Sequence, residues 1–267
     1  MNNELIPPDE LIIANGIGIL GRDTIGADFV AIGNGILAEM IHDGYILPTD
    51  NVLDVGCGLG RVARPLVKHL SQDGSYCGID VSKSSIDWCS ENYAGYSNFR
   101  FIHADVFNTE YNSKATVRAA DYRFPLEADS INFIFSTSLF THLILKDANN
   151  YLSEMSRVLK PGGKMCNTFM LLDTISEPLA RLKPTENALS PGFQYEIEGG
   201  LTLILHNPEA LISFYTNRIK ALHTKHGLEI RDIKYGPWSG RSDNIRTGYQ
   251  DVVIAEKQLN PRLFPVR

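Results

Sequence analysis

Three acids sit in or just after short apolar runs in the first half of the chain. Asp54 lies in residues 52–55, Asp80 near the end of 76–82, and Asp105 after 99–104. Directly after the first run come Gly56, Gly58 and Gly60, with Cys57 between the first two, and then Arg61. Glycine permits positive φ and lets backbone come close to a ligand, and a helix start offers unsatisfied N–H groups. Asp80, twenty residues beyond Gly60, is spaced to accept from the two hydroxyls of a ribose. A dinucleotide site uses G-x-G-x-x-G around a pyrophosphate; here the spacing is G-x-G-x-G, with an acid two residues before the first glycine. That acid would repel a pyrophosphate and suits a cationic amino or sulfonium group. Any one of the acids could be a helix cap. All three, together with the glycines, describe a site for a nucleoside with a positively charged tail.

These residues need strands to carry them. Residues 52–55, 76–82, 99–105, 131–136 and 164–170 read as five apolar strands, separated by helical patterns over 61–70, 82–92 and 147–159. Strands alternating with helices predict a mostly parallel sheet with helices on both faces. A further helix is expected over 28–41, weakened by Gly33 and Gly35. Residues 1–23 read as an irregular arm, because Pro7 and Pro8 argue against an early helix. After residue 170 the alternation breaks. Residues 171–207 carry Pro178, Pro184, Pro191, Gly192, Gly199 and Gly200 and only one strand-like run, so they read as a lid insertion. Residues 208–226 read as a helix, and 228–235 and 251–256 as two last strands joined by a hairpin-length loop. The expected organisation is an N-terminal arm and cap helix (1–47), a cofactor-binding core (48–170), a lid or substrate insertion (171–207) and the rest of the core sheet (208–267).

Composition excludes several functions. With 43% hydrophobic and 21% charged residues, the chain can build a core without metals or disulfides. A net charge of −6 disfavours nucleic acid as the main partner. Cys57, Cys77, Cys89 and Cys166 form no C-x-x-C pair, so no metal is expected, and the pattern fits a reducing cytoplasm. Residues 1–10 lack the basic start of a secretory leader, and the apolar run 11–20 is too short to span a membrane.

Residues 50–170 resemble the class I S-adenosylmethionine-dependent methyltransferases. Residues 52–61 resemble that family's motif I, 76–82 motif II, His103-Ala-Asp105-Val106 motif III, 124–136 motif IV, and Arg157-Val-Leu-Lys-Pro-Gly-Gly163 the approach to the fifth strand. The resemblance implies a Rossmann-like α/β fold with a seven-stranded, mostly parallel sheet, and a lid insertion between the fifth and sixth strands. It implies S-adenosyl-L-methionine as cofactor. The backbone of Gly56, Cys57, Gly58 and Gly60 would pack on its methionine part, and Asp54 would bind its amino group through water. Asp80 would hold the ribose, Val81 would touch adenine, Asp105 would accept from the adenine amine, and the Val106 N–H would reach a ring nitrogen. Ser136 would offer its carbonyl to the amino group.

Methyl transfer to a hydroxyl needs a base near neutral pKa, and histidine suits this. His142, in Ser138-Leu-Phe-Thr-His142 just past the fourth strand, is the leading candidate; the alternative is that it caps or packs the next helix. His206 borders the insertion. His103 reads as structural, and His42, His69, His223 and His226 as surface or helix-end residues. Phe193, Tyr195, His206, Trp238, Arg241 and Tyr249 are candidates for the acceptor pocket, with Arg241 either binding an anion or pairing with an acid such as Asp243. No Asn/Asp-Pro-Pro-Tyr and no Pro-Cys follows the fourth strand, which disfavours base amines and cytosine carbon as acceptors. The sequence therefore points to a small-molecule acceptor, with a hydroxyl first. N- or C-methylation, aminopropyl transfer, nicotinamide chemistry and a non-catalytic cofactor-binding protein are the competing readings.

Overall fold

The structure, a computed structural model, describes residues 5–14, 25–109, 111–182, 190–242, 246 and 248–259. Seven strands form one sheet, in the order Leu228–Lys234, Asp251–Lys257, Leu159–Phe169, Ile131–Ser136, Asn51–Val55, Ser75–Asp80 and Phe99–His103, and four short strands form a second, in the order Leu171–Leu172, Ile212–Tyr215, Gly200–Thr202 and Tyr195–Ile197. The chain divides into two compact units: residues 1–117 with 131–133, and residues 118–130 with 134–267.

The first unit holds α1 (Asp9–Ala14), α2 (Ile25–His42), β1 (Asn51–Val55), α3 (Ala63–His69), β2 (Ser75–Asp80), α4 (Lys83–Asn92) and β3 (Phe99–His103). β1 and β2 run parallel with Asn51 opposite Ser75, and β2 and β3 run parallel with Tyr76 opposite Phe99. All but the first residue of β1 are buried, which is why the run is apolar on both faces. Ser82 caps α4 by accepting from the Ser85 N–H.

Within the described residues 5–14, the arm forms a helix that the two prolines did not suggest. α1 starts directly after Pro8, whose carbonyl accepts from the Leu11 and Ile12 N–H groups. Proline ahead of a first turn loses no hydrogen bond, so the pair introduces this helix instead of preventing one. Ile12 of α1 and Phe29 of α2 then bury Leu59, with Ile6, Leu11 and Trp88 around them.

Gly33 and Gly35 differ in kind. A Cβ at Gly33 would collide with the Arg61 carbonyl, whereas one at Gly35 would meet nothing within 4 Å. Gly33 therefore lets α2 lie directly on the backbone after the glycine turn. The Arg64 Nη2 to Asn34 Oδ1 bond of 2.6 Å holds the same contact.

The second unit takes residues 118–130 and the end of β4 (Ile131–Ser136), and continues through α5 (Leu145–Val158), β5 (Leu159–Phe169), β6 (Leu171–Leu172), α6 (Ser176–Ala180), β7 (Tyr195–Ile197), β8 (Gly200–Thr202), β9 (Ile212–Tyr215), α7 (Thr216–Lys225), β10 (Leu228–Lys234) and β11 (Asp251–Lys257). β11 is antiparallel to both β5 and β10. Three expectations change here. β5 starts at Leu159, so Lys160-Pro-Gly-Gly163 lies inside the strand, with Gly162 at φ +78. The helix expected from 208 starts at Thr216: Ile212-Ser-Phe-Tyr215 pairs with β8 and β6 because β-branched and aromatic residues favour the strand. Residues 171–215 thus supply a second sheet where an irregular insertion was expected.

His223, expected to be a surface or helix-end residue, lies in the last turn of α7 and is completely buried. Its Nδ1 meets the Ile219 carbonyl at 2.8 Å, and its Nε2 has no partner. Burial lowers its pKa from 6.5 to about 4. Folding thus favours the neutral ring: its contribution is complete above pH 6.5 and is lost as pH falls from there through 4, a span worth roughly 3 kcal/mol. His223→Leu is expected to reduce the drop in melting temperature between neutral pH and about pH 4.5. An unchanged drop would show that acid destabilisation arises elsewhere.

Candidate functional site

The first unit gathers most of the expected cofactor residues on one turn and the strand beside it. The β1–β2 ladder runs on past Val55, since the Gly56 and Cys57 N–H groups both donate to the Ile79 carbonyl, at 2.8 and 3.2 Å. The chain then turns through Gly56, Gly58 and Gly60 at φ +80, +50 and +73, the left-handed region where a side chain is strained. Nothing lies within 4 Å of where a Cβ at Gly58 would sit, so the turn flanks open space. Leu59, between the last two glycines, is the apolar anchor gripped by α1 and α2.

Asp80 ties this turn to the start of α4. Its Oδ2 accepts from the Gly58 N–H at 2.7 Å and its Oδ1 from the Ser82 N–H at 2.8 Å. Burial raises its pKa, opposed by these backbone bonds and by His103. The Val81 N–H also stabilises the carboxylate, and the lone-pair capacity left over is available to a ligand hydroxyl. His103 Nε2 lies 3.2 Å from the Val81 carbonyl and so braces the neighbouring residue, as a structural histidine would.

Asp54 is buried, with Oδ2 accepting from the Tyr76 hydroxyl at 2.8 Å and Oδ1 lacking any partner. Burial raises its pKa to about 7; the Tyr76 bond pulls it down, Asp80 pushes it up and Arg61 pulls it down. Arg61 is in turn made more acidic by burial, with Asp54 opposing. Sequence reasoning missed Tyr76. It also missed Gly78, where a Cβ would press on the Cys57 Sγ at 2.7 Å. A lone glycine inside a strand was the available signal for that close approach.

Two further residues are placed differently. Asp105 is exposed and accepts from Asn112 Nδ2 at 3.0 Å. The Val106 N–H donates to the Ala104 carbonyl at 2.7 Å, so it is engaged within the chain. The three positive-φ glycines and the orphaned, buried Asp54 oxygen fit a ligand carrying a cationic amine, and Asp80 fits its ribose.

In the second unit, Ser136 ends β4 completely buried, its Oγ donating to Asn167 Oδ1 at 2.8 Å. The backbone then passes through Ser138 at φ +60, held by a 2.7 Å bond from its N–H to Thr168 Oγ1. A 3₁₀ turn follows, Phe140–His142. Phe140 stacks on Phe169 at 4.5 Å, and Thr141 Oγ1 donates to the Ser138 carbonyl at 3.1 Å. With those two residues pinned inward, His142 is left exposed. Its Nδ1 is 2.9 Å from the Glu209 carbonyl oxygen. A carbonyl only accepts, so Nδ1 carries the proton and the neutral ring keeps its lone pair on Nε2. In the same unit, buried Asp147 in the first turn of α5 is raised to about 6 by burial and then by the charge of Glu209.

The acceptor candidates separate into two groups. Phe193 and Trp238 are completely buried edge-to-face at 5.9 Å, in a cluster with Met170, Leu172, Ala180 and Leu201. Trp238 Nε1 donates to Asp251 Oδ2 at 2.8 Å. Asp251 also accepts from the Leu171 and Gly236 N–H groups; burial raises it to about 6 against these bonds. Arg241 is buried as well, its guanidinium 3.9 Å over the Tyr235 ring and 3.2 Å from Asp173 Oδ2. Its acid partner here is therefore Asp173; Asp243 lies outside the described residues. Tyr195, His206 and Tyr249 are exposed.

Among the described residues, no group of His, Cys, Asp and Glu could hold a metal ion, and no helix is long and apolar enough to cross a membrane. Residues 52–163 match a family described as a methyltransferase domain. A ribosomal RNA small subunit methyltransferase A of Dehalococcoides mccartyi is 31% identical over 124 residues, 46% of this chain and 40% of that protein. The chain thus spans less than half the length of this curated relative. A methyltransferase structure from Methanosarcina mazei superposes with TM-score 0.53 at 19% identity, covering 82% of this chain and 98% of that one. One from Aquifex aeolicus gives 0.53 at 18%, covering 91% and 98%. Both likenesses speak for the Rossmann-like fold. The matched domain spans motifs I to III and the turn into β5; this match, the fold and a site that fits a cationic nucleoside support a class I S-adenosylmethionine-dependent methyltransferase.

Proposed function

We propose that this protein moves a methyl group from S-adenosylmethionine to a hydroxyl of a small molecule. The observation that carries the reading is the exposed His142 ring, whose Nδ1 is committed to the Glu209 carbonyl and whose Nε2 is left as an acceptor. The cofactor, when bound, supplies an activated methyl and departs as a neutral thioether. The chain's own contribution is to seat the cofactor on residues 54–60 and Asp80, to take the hydroxyl proton at His142 Nε2, and to keep water away. Tyr195, His206 and Tyr249, exposed on the second unit, are the acceptor-facing residues in this reading, with the second sheet as the roof. Phe193, Trp238 and Arg241 support them from within. The four buried free cysteines suit action in a reducing cytoplasm.

A second reading has RNA as acceptor, since curated relatives bear ribosomal RNA methyltransferase names. The net charge of −6, and Ser136-Thr-Ser138 where base-amine enzymes carry Asn/Asp-Pro-Pro-Tyr, favour the small molecule.

The test is release of S-adenosylhomocysteine over a panel of phenols, aliphatic alcohols, amines and structured RNA. Hydroxyl acceptors are expected to turn over. His142→Ala is expected to bind cofactor normally and lose about a hundredfold or more in kcat. Full turnover in that variant would remove the base. Transfer to RNA alone, steeply weakened by salt, would replace the acceptor class.

A further inference from the structure

An exposed imidazole can carry its single proton on either nitrogen, and only one form leaves Nε2 free to act as a base. The Glu209 carbonyl that selects this form comes from the connection between β8 and β9, residues 203–211. A loop of that length does not hold one carbonyl in place by itself; something must close it.

Thr202, the last residue of β8, does so from inside. It is completely buried. Its Oγ1 lies 2.9 Å from the Pro208 carbonyl and 3.1 Å from the Leu211 carbonyl, and it accepts from the Ile204 N–H at 3.3 Å. Its single proton is shared between these two carbonyls, which flank Glu209 on either side. Around this hydroxyl the loop closes on itself. The Leu203 N–H donates to Leu211, Asn207 to Ile204 and Ala210 to Asn207, forming a 3₁₀ turn over Pro208–Ala210. β9 pairs Ile212 directly with Thr202, so strand register and hydroxyl fix the same point.

We propose that the β8–β9 hairpin tip sets the tautomer of His142, with Thr202 as its positioning residue. The catalytic consequence rests on His142 being the base; the positioning itself does not. Thr202 touches no reacting atom. It acts by holding residues 208 and 211 so that the Glu209 oxygen faces the ring. In chemical terms, the segment expected to be only a roof over the acceptor also prepares the group that deprotonates it.

The test is nitrogen NMR of the full chain carrying ¹⁵N-histidine, at alkaline pH where an imidazole is neutral. The His142 signals are assigned by their loss in His142→Ala. In the unmodified chain the ring is expected to be protonated at Nδ1 and bare at Nε2. Thr202→Val, of nearly equal volume, is expected to shift the ring to a mixture of tautomers, its two nitrogen signals converging. Thr202→Ser, which keeps the hydroxyl, is expected to restore the original pattern.

A native ring protonated at Nε2 would overturn the proposal without any variant, so it stays testable if Thr202→Val fails to fold. A folded Thr202→Val with an unchanged spectrum would overturn it too. Full turnover by His142→Ala would defeat the base while leaving the tautomer result standing, so the two failures are told apart.

Discussion

Asp80→Asn is expected to weaken S-adenosylmethionine binding by about a hundredfold or more. The Asp80 carboxylate has two duties. It accepts from Gly58 and Ser82, fixing the glycine turn against the start of α4, and in the proposed binding mode it also accepts from the ribose hydroxyls. Hydrogen bonds to an ionised group contribute about 1.5–3 kcal/mol each, so losing the charge from two of them costs about 3 kcal/mol or more, which is a hundredfold. Asparagine is nearly isosteric but turns one acceptor into a donor. Whichever way its amide faces, its NH₂ meets either the Gly58 or the Ser82 N–H. The measurement is calorimetric titration with S-adenosylmethionine, alongside the variant's melting temperature. A folded variant that binds within about threefold of the native chain would mean that the ribose is held elsewhere.

The second large effect is a pH dependence of cofactor binding, set by Asp54. In the free chain burial holds this carboxyl near 7, against the pull of Tyr76 and Arg61. Its unfolded pKa is about 3.9, so the raised value makes the free fold lose stability as pH rises from about 4 to about 7. A ligand ammonium facing the orphaned Oδ1 reverses this, because it favours the carboxylate and expels the proton. Affinity is therefore expected to rise by up to about tenfold per pH unit toward 7, then level off. Above about 8 it falls again as the ligand's α-amino group loses its own proton. Titrations in buffers of different ionisation heat should show close to one proton released below pH 7. Asp54→Asn should bind more weakly and lose the rising limb. A flat profile in the native chain between about pH 5.5 and pH 7 would show that the amino group is not met by this carboxylate.

The strands and the glycine turn were legible because their patterns are local. An apolar run buried on both faces leaves an unbroken hydrophobic stretch, and a left-handed turn leaves glycines. What was not legible depends on residues far apart in the chain. Gly33 looked like a flaw in a helix, because nothing nearby shows that the Arg61 carbonyl will lie against it. Tyr76 looked like strand filler until Asp54, on the neighbouring strand, gave its hydroxyl a partner. Trp238 and Phe193 looked like pocket walls because large aromatics on loops often are; the Asp251 carboxylate and the second sheet draw them inside instead. The second sheet was hidden because its strands are two to four residues long, too short for alternation to register. His142 was singled out as a candidate by its position after the fourth strand. Its partner was not, because a backbone carbonyl carries no mark of residue type.

The grip of α1 and α2 on Leu59 separates what can be recognised from what can fold. The stretch matching known methyltransferases is residues 52–163. A fragment cut to those limits would keep every motif of the cofactor site. It would expose Leu59, abandon the backbone contact at Gly33, and leave β5 without β11, its antiparallel neighbour. The recognisable module is a signature carried on a larger body. For this chain, residue 52 is a boundary of resemblance, and a soluble fragment has to begin at least as early as the leucines and isoleucines of the arm.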